Sequence, residues 1–179
     1  MEASPFLAGW RLCPRCGEDL ALEGRAAWCS ACGLRVHANP APTASVLLLD
    51  DEGSVLLARR GADPGDGLWD LLGGFIEEGE DPLAALRREV AEETSLEIEV
   101  EEFVGGFPDR YGDEGVYTLN LYWTARIAGG ELALDDDELQ EVRWFSPDDL
   151  PPAGEFAFRN TLDALASWRG RVRSAGGKK

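Results

Sequence analysis

The sequence predicts an α+β chain in two parts: a small N-terminal appendage built on four cysteines, then a layered domain with a mixed sheet between helices. Three observations carry this. The cysteines fall in two pairs, Cys13-Pro-Arg-Cys16 and Cys29-Ser-Ala-Cys32, with twelve residues between them. Short apolar runs bounded by Gly, Pro and Asp flank one helical stretch that opens at Asp81-Pro82. A second amphipathic stretch, 156–171, closes the chain with Phe158, Leu162, Leu165 and Trp168 on one side. The order lacks the regular alternation of a doubly wound sheet. Gly73, Gly74 and Gly79 fit neither a dinucleotide fingerprint nor a P-loop.

A length of 179 residues suits one medium domain with an appendage, and 44% hydrophobic content permits a real core. The charge balance is strongly acidic: 17 basic against 34 acidic side chains, a formal net charge of −17. Such a surface argues against nucleic acid and anionic membranes as partners. A polyphosphate substrate would need cations to bridge like charges. No apolar run is long enough to span a bilayer, and MEASPFLAGW has neither a basic region nor an apolar core. The expected compartment is the cytoplasm, where thiols stay reduced and a metal site is favoured over disulfides.

Taken in order, residues 1–9 read as a tail and 10–37 as a zinc ribbon. Each CxxC turn aims two thiolates at one centre, and Gly17 and Gly33 let the turns close. Four protein ligands, Cys13, Cys16, Cys29 and Cys32, would make a closed, structural Zn²⁺ site. A segment this small needs metal for its folding energy. His37, the only histidine, is expected at the surface. Residues 38–43 read as a proline-stiffened linker, 44–173 as the main domain and 174–179 as a disordered tail. Within the main domain, strands are expected at 45–49, 54–60, 98–107, 116–127 and 141–145, with turns at 50–53 and 128–131. Ser146-Pro147 has the chemistry of a helix start.

The central helix carries the chemistry. Asp81 suits its N-cap and Pro82 its first position. Leu83, Leu86 and Val90 form an apolar face, and Glu89, Glu92 and Glu93 stand at i, i+3 and i+4 beside it. Like charges stacked this way destabilise a helix unless a divalent cation sits among them. The plainer alternative is a solvated acidic face.

Gly74, five residues, Glu80, seven residues, then Arg88-Glu89-Val90-Ala91-Glu92-Glu93-Thr94-Ser95-Leu96 resembles the Nudix box, GX5EX7REUXEEXGU. Ser95 stands where the family usually has Gly, a helix-ending position that favours positive φ. The likeness extends to Leu68-Trp69-Asp70-Leu71-Leu72 before the box and to residues 140–150 after it. The ribbon ahead of the box is similar to the NADH pyrophosphatase branch, although only Phe107-Pro108 of that branch's further motif is present. The resemblance implies an α/β/α sandwich and hydrolysis of the pyrophosphate bond in a nucleoside diphosphate linked to another moiety, such as ADP-ribose or an NADH-like dinucleotide. It implies Mg²⁺ or Mn²⁺ as the catalytic ion and leaves a homodimer open. By motif position, Glu89, Glu92 and Glu93 are metal ligands, with Glu80 and the Gly73 carbonyl in support. Arg88 fixes a motif carboxylate. The general base is either one of the motif glutamates, Glu92 or Glu93 included, or a later glutamate; Glu138, ahead of Glu141, is preferred, because similar enzymes place one just before this Trp-Phe strand.

A strongly acidic protein must place its few cations with care, so Arg59, Arg60 and Arg110 are candidate phosphate partners. Phe75, Phe107, Tyr111 and Tyr122 are candidate base-stacking rings, with core packing the alternative. A competing function is a non-catalytic nucleotide sensor or a nucleic-acid-binding protein that reads through the ribbon. The complete carboxylate set and the net charge argue against it.

Overall fold

The computed structural model describes residues 4–112 and 115–176, in two compact units that divide between Pro40 and Ala41. In the first unit, Pro5–Leu7 form a short 3-10 turn within the stretch expected to be a tail. Strands β1 (Ala21–Glu23), β2 (Ala26–Trp28) and β3 (Arg35–His37) form an antiparallel sheet in sequence order. Gly17 and Gly33 adopt positive φ and their amides donate to the Cys13 and Cys29 carbonyls, which closes both knuckles. His37 is exposed, as expected.

The second unit holds two sheets. The larger has the order β7 (Leu72–Phe75), β4 (Ala41–Leu48), β9 (Tyr117–Gly130), β8 (Leu96–Arg110). Its β4–β9 pair is parallel and the others antiparallel, so it is mixed. The smaller sheet runs β10 (Leu139–Phe145), β5 (Val55–Arg60), β6 (Trp69–Asp70), all antiparallel. Helix α1 (Pro82–Thr94) packs on β4, β7 and β8, and α2 (Arg159–Gly176) packs on β8.

Strand β4 shows why the domain is layered. Its residues are buried from Thr43 to Leu48. Alternate side chains serve opposite faces: Ala44, Val46 and Leu48 join Leu86 and Val90 of α1 in one core, while Leu47 joins Leu165 and Trp168 of α2 in the other. Strand β5 divides likewise, Leu56 and Ala58 against Val55 and Leu57. This is the α/β/α sandwich that the sequence implied.

Several boundaries differ from the sequence expectation. Ala41, Pro42 and Thr43 of the expected linker are strand, because β4 continues its pairing with β9 to Ala41. Residues 128–130 continue β9 against Leu96 and Glu97 instead of turning. Ser146-Pro147 opens a turn closed by Asp149 N–H to the Ser146 carbonyl, not a helix. Helix α2 begins after Phe158, which frees that ring from the helix face on which it was expected. Residues 177–179 of the expected tail lie outside the described residues.

Candidate active site

Helix α1 starts and stops as its sequence dictates. The Asp81 carboxylate accepts from Leu83 N–H at 2.9 Å and Ala84 N–H at 3.3 Å, and Pro82 fills the first position. Ser95 ends the helix at φ 59°, the left-handed conformation for which the family uses Gly. With Leu86 and Val90 in the core, the next stripe along the helix carries Glu89 and Glu93, four residues apart. Both line a cavity of about 320 Å³. Glu92 lies one step further round and is exposed. The three glutamates therefore do not share one environment, as their spacing had suggested.

Arg88 organises the polar side of the helix. Its Nε and Nη2 donate to the two oxygens of Glu80, both at 2.9 Å. Its Nη1 donates to Glu89 at 2.8 Å and Glu92 at 3.0 Å, and Nη2 also reaches the Phe75 carbonyl at 3.2 Å. The guanidinium hydrogen bonds hold the Glu80 carboxyl down at about 2. Arg88 is thus committed to carboxylates, as its motif position implied.

The facing wall is β7. A Cβ on Gly73 would lie 2.2 Å from the Ala44 carbonyl, and its φ of 135° also demands glycine. A Cβ on Gly74 would meet the Glu89 carboxylate at 2.4 Å. Backbone here comes as close to the glutamates as chemistry allows, and Gly73 N–H donates to Glu93 Oε2 at 3.0 Å. Glu138, in the turn before β10, lines the same cavity. Burial raises the Glu93 pKa well above the carboxylate range, and the charges of Glu89, Glu138 and Asp70 push the same way against the Gly73 hydrogen bond. Glu89 is raised too, first by burial and also by Glu92 and Glu138, with Arg88 opposing. Carboxylates that raise one another in a cavity are the donor set that a hard cation satisfies.

The cavity also has an aromatic lining. Phe75 meets Tyr111 edge-on with centroids 5.3 Å apart, and Tyr111 stacks on Phe158 at 5.6 Å. Of the expected substrate cations, Arg60 and Arg110 line the cavity and Arg59 does not. Arg59 donates to Glu141 at 2.8 Å and the Gly67 carbonyl at 2.6 Å, and lies 4.4 Å over the Trp69 ring. That engagement removes it as a phosphate partner. It also ties down Glu141, whose pKa it lowers. Phe107 and Tyr122 pack in the second core, although the Tyr122 side chain also reaches the cavity. The sequence reading missed Asp70, Asn120, Phe158 and Asn160, which all line this space. Only Asp70 left a signal, as a lone acid inside the apolar run Leu68–Leu72.

The first unit holds a different donor set. Cys13 and Cys32 Sγ are 3.6 Å apart, as are Cys16 and Cys29. A disulfide needs about 2.05 Å. Ligands 2.3 Å from a tetrahedral zinc lie about 3.8 Å from each other. All four sulfurs fall within 4.8 Å of one another, and no other His, Cys, Asp or Glu group among the described residues is so tight. The site fits Zn²⁺.

The NUDIX domain model matches residues 39–165. The NAD-capped RNA hydrolase NudC of Pseudomonas putida is 32% identical over 167 residues, covering 89% of this chain and 57% of that protein. Its counterpart in Stutzerimonas stutzeri is 31% identical over 172 residues, covering 94% and 60%. The chain therefore spans little more than half the length of these curated relatives. Among solved structures, a NUDIX hydrolase from Nitrosomonas europaea matches with a TM-score of 0.74 at 22% identity, over 92% of this chain and 93% of that one. The NUDIX domain of Shewanella oneidensis NrtR, complexed with ADP ribose, matches at 0.59 and 25% identity, over 75% and 89%. With a family model reaching from β4 into α2 and the motif carboxylates gathered on and just before α1, against the glycines of β7, the chain belongs to the NUDIX family.

Proposed function

We propose that the main domain hydrolyses the pyrophosphate bond of a nucleoside diphosphate linked to another moiety, with Mg²⁺ or Mn²⁺ as its catalytic ion. The observation that carries this is that one cavity brings together two chemistries. It is lined by Glu89, Glu93 and Glu138, against backbone that admits no side chain, and by the contacting rings of Phe75, Tyr111 and Phe158. The carboxylates suit a cation and phosphates, the rings a base. When bound, the ion neutralises phosphate charge and acidifies a water. Glu89 and Glu93 would hold it, with Glu92 and the Gly73 carbonyl as further donors and Glu80 acting through Arg88. Glu138 would take the proton of the attacking water, because it faces the cavity and, unlike Glu141, has no arginine partner among the described ion pairs. Arg110, at the cavity wall, would meet phosphate.

The NudC relatives and the NrtR complex bear on the substrate: the former are named for NAD-capped RNA and the latter holds ADP ribose. Both ligands contain an adenosine diphosphate moiety, which is the class favoured here. Residues 10–37 would fold around Zn²⁺ as a structural ribbon. Among the described residues, no helix is long and apolar enough to cross a membrane. The test is a panel of ADP-ribose, NADH, NAD-capped RNA and nucleoside triphosphates with Mg²⁺ or Mn²⁺, reading the phosphate products. Hydrolysis of an ADP-linked compound, lost in Glu138→Gln, is expected. Failure on every member would end the proposal.

A further inference from the structure

Arg60 was expected to reach phosphate, and the structure engages each of its three nitrogens elsewhere. Its Nε donates to the Pro64 carbonyl at 2.8 Å, its Nη2 to the Tyr111 hydroxyl at 3.5 Å, and its Nη1 lies 3.6 Å from Asp70 Oδ2. The guanidinium carbon sits 5.2 Å from the centroid of the Phe158 ring, on which Tyr111 stacks with planes 22° apart. Asp70 is itself pinned: its Oδ1 accepts from Thr161 Oγ1 at 2.5 Å and Leu71 N–H at 2.8 Å. Thr161 is fully buried on α2. A continuous chain thus runs from α2 through Asp70 and Arg60 to the two rings that wall the cavity.

We propose that Asp70 is a positioning residue for substrate selection: it holds Arg60, and Arg60 holds the Phe158–Tyr111 surface on which the substrate's base stacks. This rests on the nucleotide reading above. A largely buried carboxylate, 15% exposed here, is costly unless paired, so an isolated structural acid would be poorly tolerated between Trp69 and Leu71. Among the described residues its cost is offset by Thr161, the Leu71 amide and Arg60, and of these Arg60 contacts the Phe158 and Tyr111 rings. A planar, forked guanidinium can face a ring and bond in its own plane at once; an ammonium cannot. The arrangement therefore selects for a flat aromatic group beside the diphosphate, while leaving the motif carboxylates untouched.

The test compares the full chain with Asp70→Asn and Arg60→Lys, by calorimetric binding of AMP and of ribose 5-phosphate, which lacks the base. The wild-type chain should prefer AMP. Both variants should lose about tenfold of that preference, within the range of base–aromatic stacking, with ribose 5-phosphate binding unaltered. On an ADP-linked substrate the loss should appear in KM more than in kcat. Parallel weakening of both ligands, a wild type indifferent to the base, or a lowered melting temperature with the preference intact would each overturn the proposal. Arg60→Lys, at a partly exposed position, serves if Asp70→Asn does not fold. A chain that prefers AMP yet hydrolyses nothing in the panel would refute the hydrolase reading and keep this one.

Discussion

The cysteine site and the carboxylate site solve opposite problems. In the ribbon, four sulfurs lie within 4.8 Å of one another before any partner is considered, and two of them are buried. On α1, the motif carboxylates are held apart. Arg88 takes Glu80 fully and draws on Glu89 and Glu92, while Gly73 N–H takes one oxygen of Glu93. A closed, soft set leaves no position for substrate and contributes folding energy. An open, hard set is kept from collapse by a resident cation and leaves oxygens facing a cavity. The contrast teaches that ligand type alone does not assign a role; what holds the ligands in place decides it.

The largest expected effect lies in the ribbon. Structural zinc in small domains contributes about 10–16 kcal/mol. Stripping it with a chelator should unfold residues 10–36 by amide exchange and leave the α1 and α2 signal intact. If the ribbon keeps its protection without zinc, the two sites are not opposites. Next comes the carboxylate set. Glu92→Gln and Glu93→Gln should each lower kcat on the order of a hundred- to a thousandfold, the scale of losing one preorganised electrostatic contact. Melting curves near wild type would show that the fold survives, and near-normal turnover would remove these residues as ligands.

A smaller effect is the pH dependence without metal. Glu93 has a folded pKa raised by burial, so the protonated form favours folding. Its contribution is full below the unfolded value of about 4.3 and is lost as pH rises toward the folded pKa. Glu80 is lowered to about 2 by Arg88, so its contribution is present above about 4.3 and fades as pH falls through about 2. Thermal melts should therefore weaken from mildly acidic to neutral pH. Added Mg²⁺ should flatten that decline, because a cation takes over from the proton. A decline indifferent to Mg²⁺ would detach Glu93 from the metal. The smallest effect is local. Ser95 sits at φ 59°, and Ser95→Gly should relieve about 1 kcal/mol, raising the melting temperature by about 2–4 °C. Turnover should not follow it.

Both metal-binding patterns were legible along the chain because each is written in short range. The CxxC knuckles need only four residues and a glycine, and α1 announces itself through Asp81, Pro82 and its apolar stripe. Even Ser95 was flagged by the motif and then found in the conformation a glycine would favour. The β4 core strand was legible as an apolar run, though its start was misplaced: its pairing with β9 reaches back through Pro42 to Ala41. Arg59 and Arg60 illustrate the limit. Adjacent in sequence, they alternate across β5, so one faces Trp69 and Glu141 and the other faces the cavity.

The sequence by itself determined the motif frame, the two donor chemistries and the layered class, because helix caps, knuckle spacing and hydrophobic period act over a few residues. Tertiary structure alone decided which glutamates share a cavity, which arginine is spent on Trp69, and that Phe158 leaves α2 to join Tyr111 and Arg60. Those outcomes depend on β5, β7, β8 and the start of α2 meeting, across sequence separations from Arg60 to Phe158 that no local rule spans. Burial and side-chain partners arise only where such distant segments close on one another.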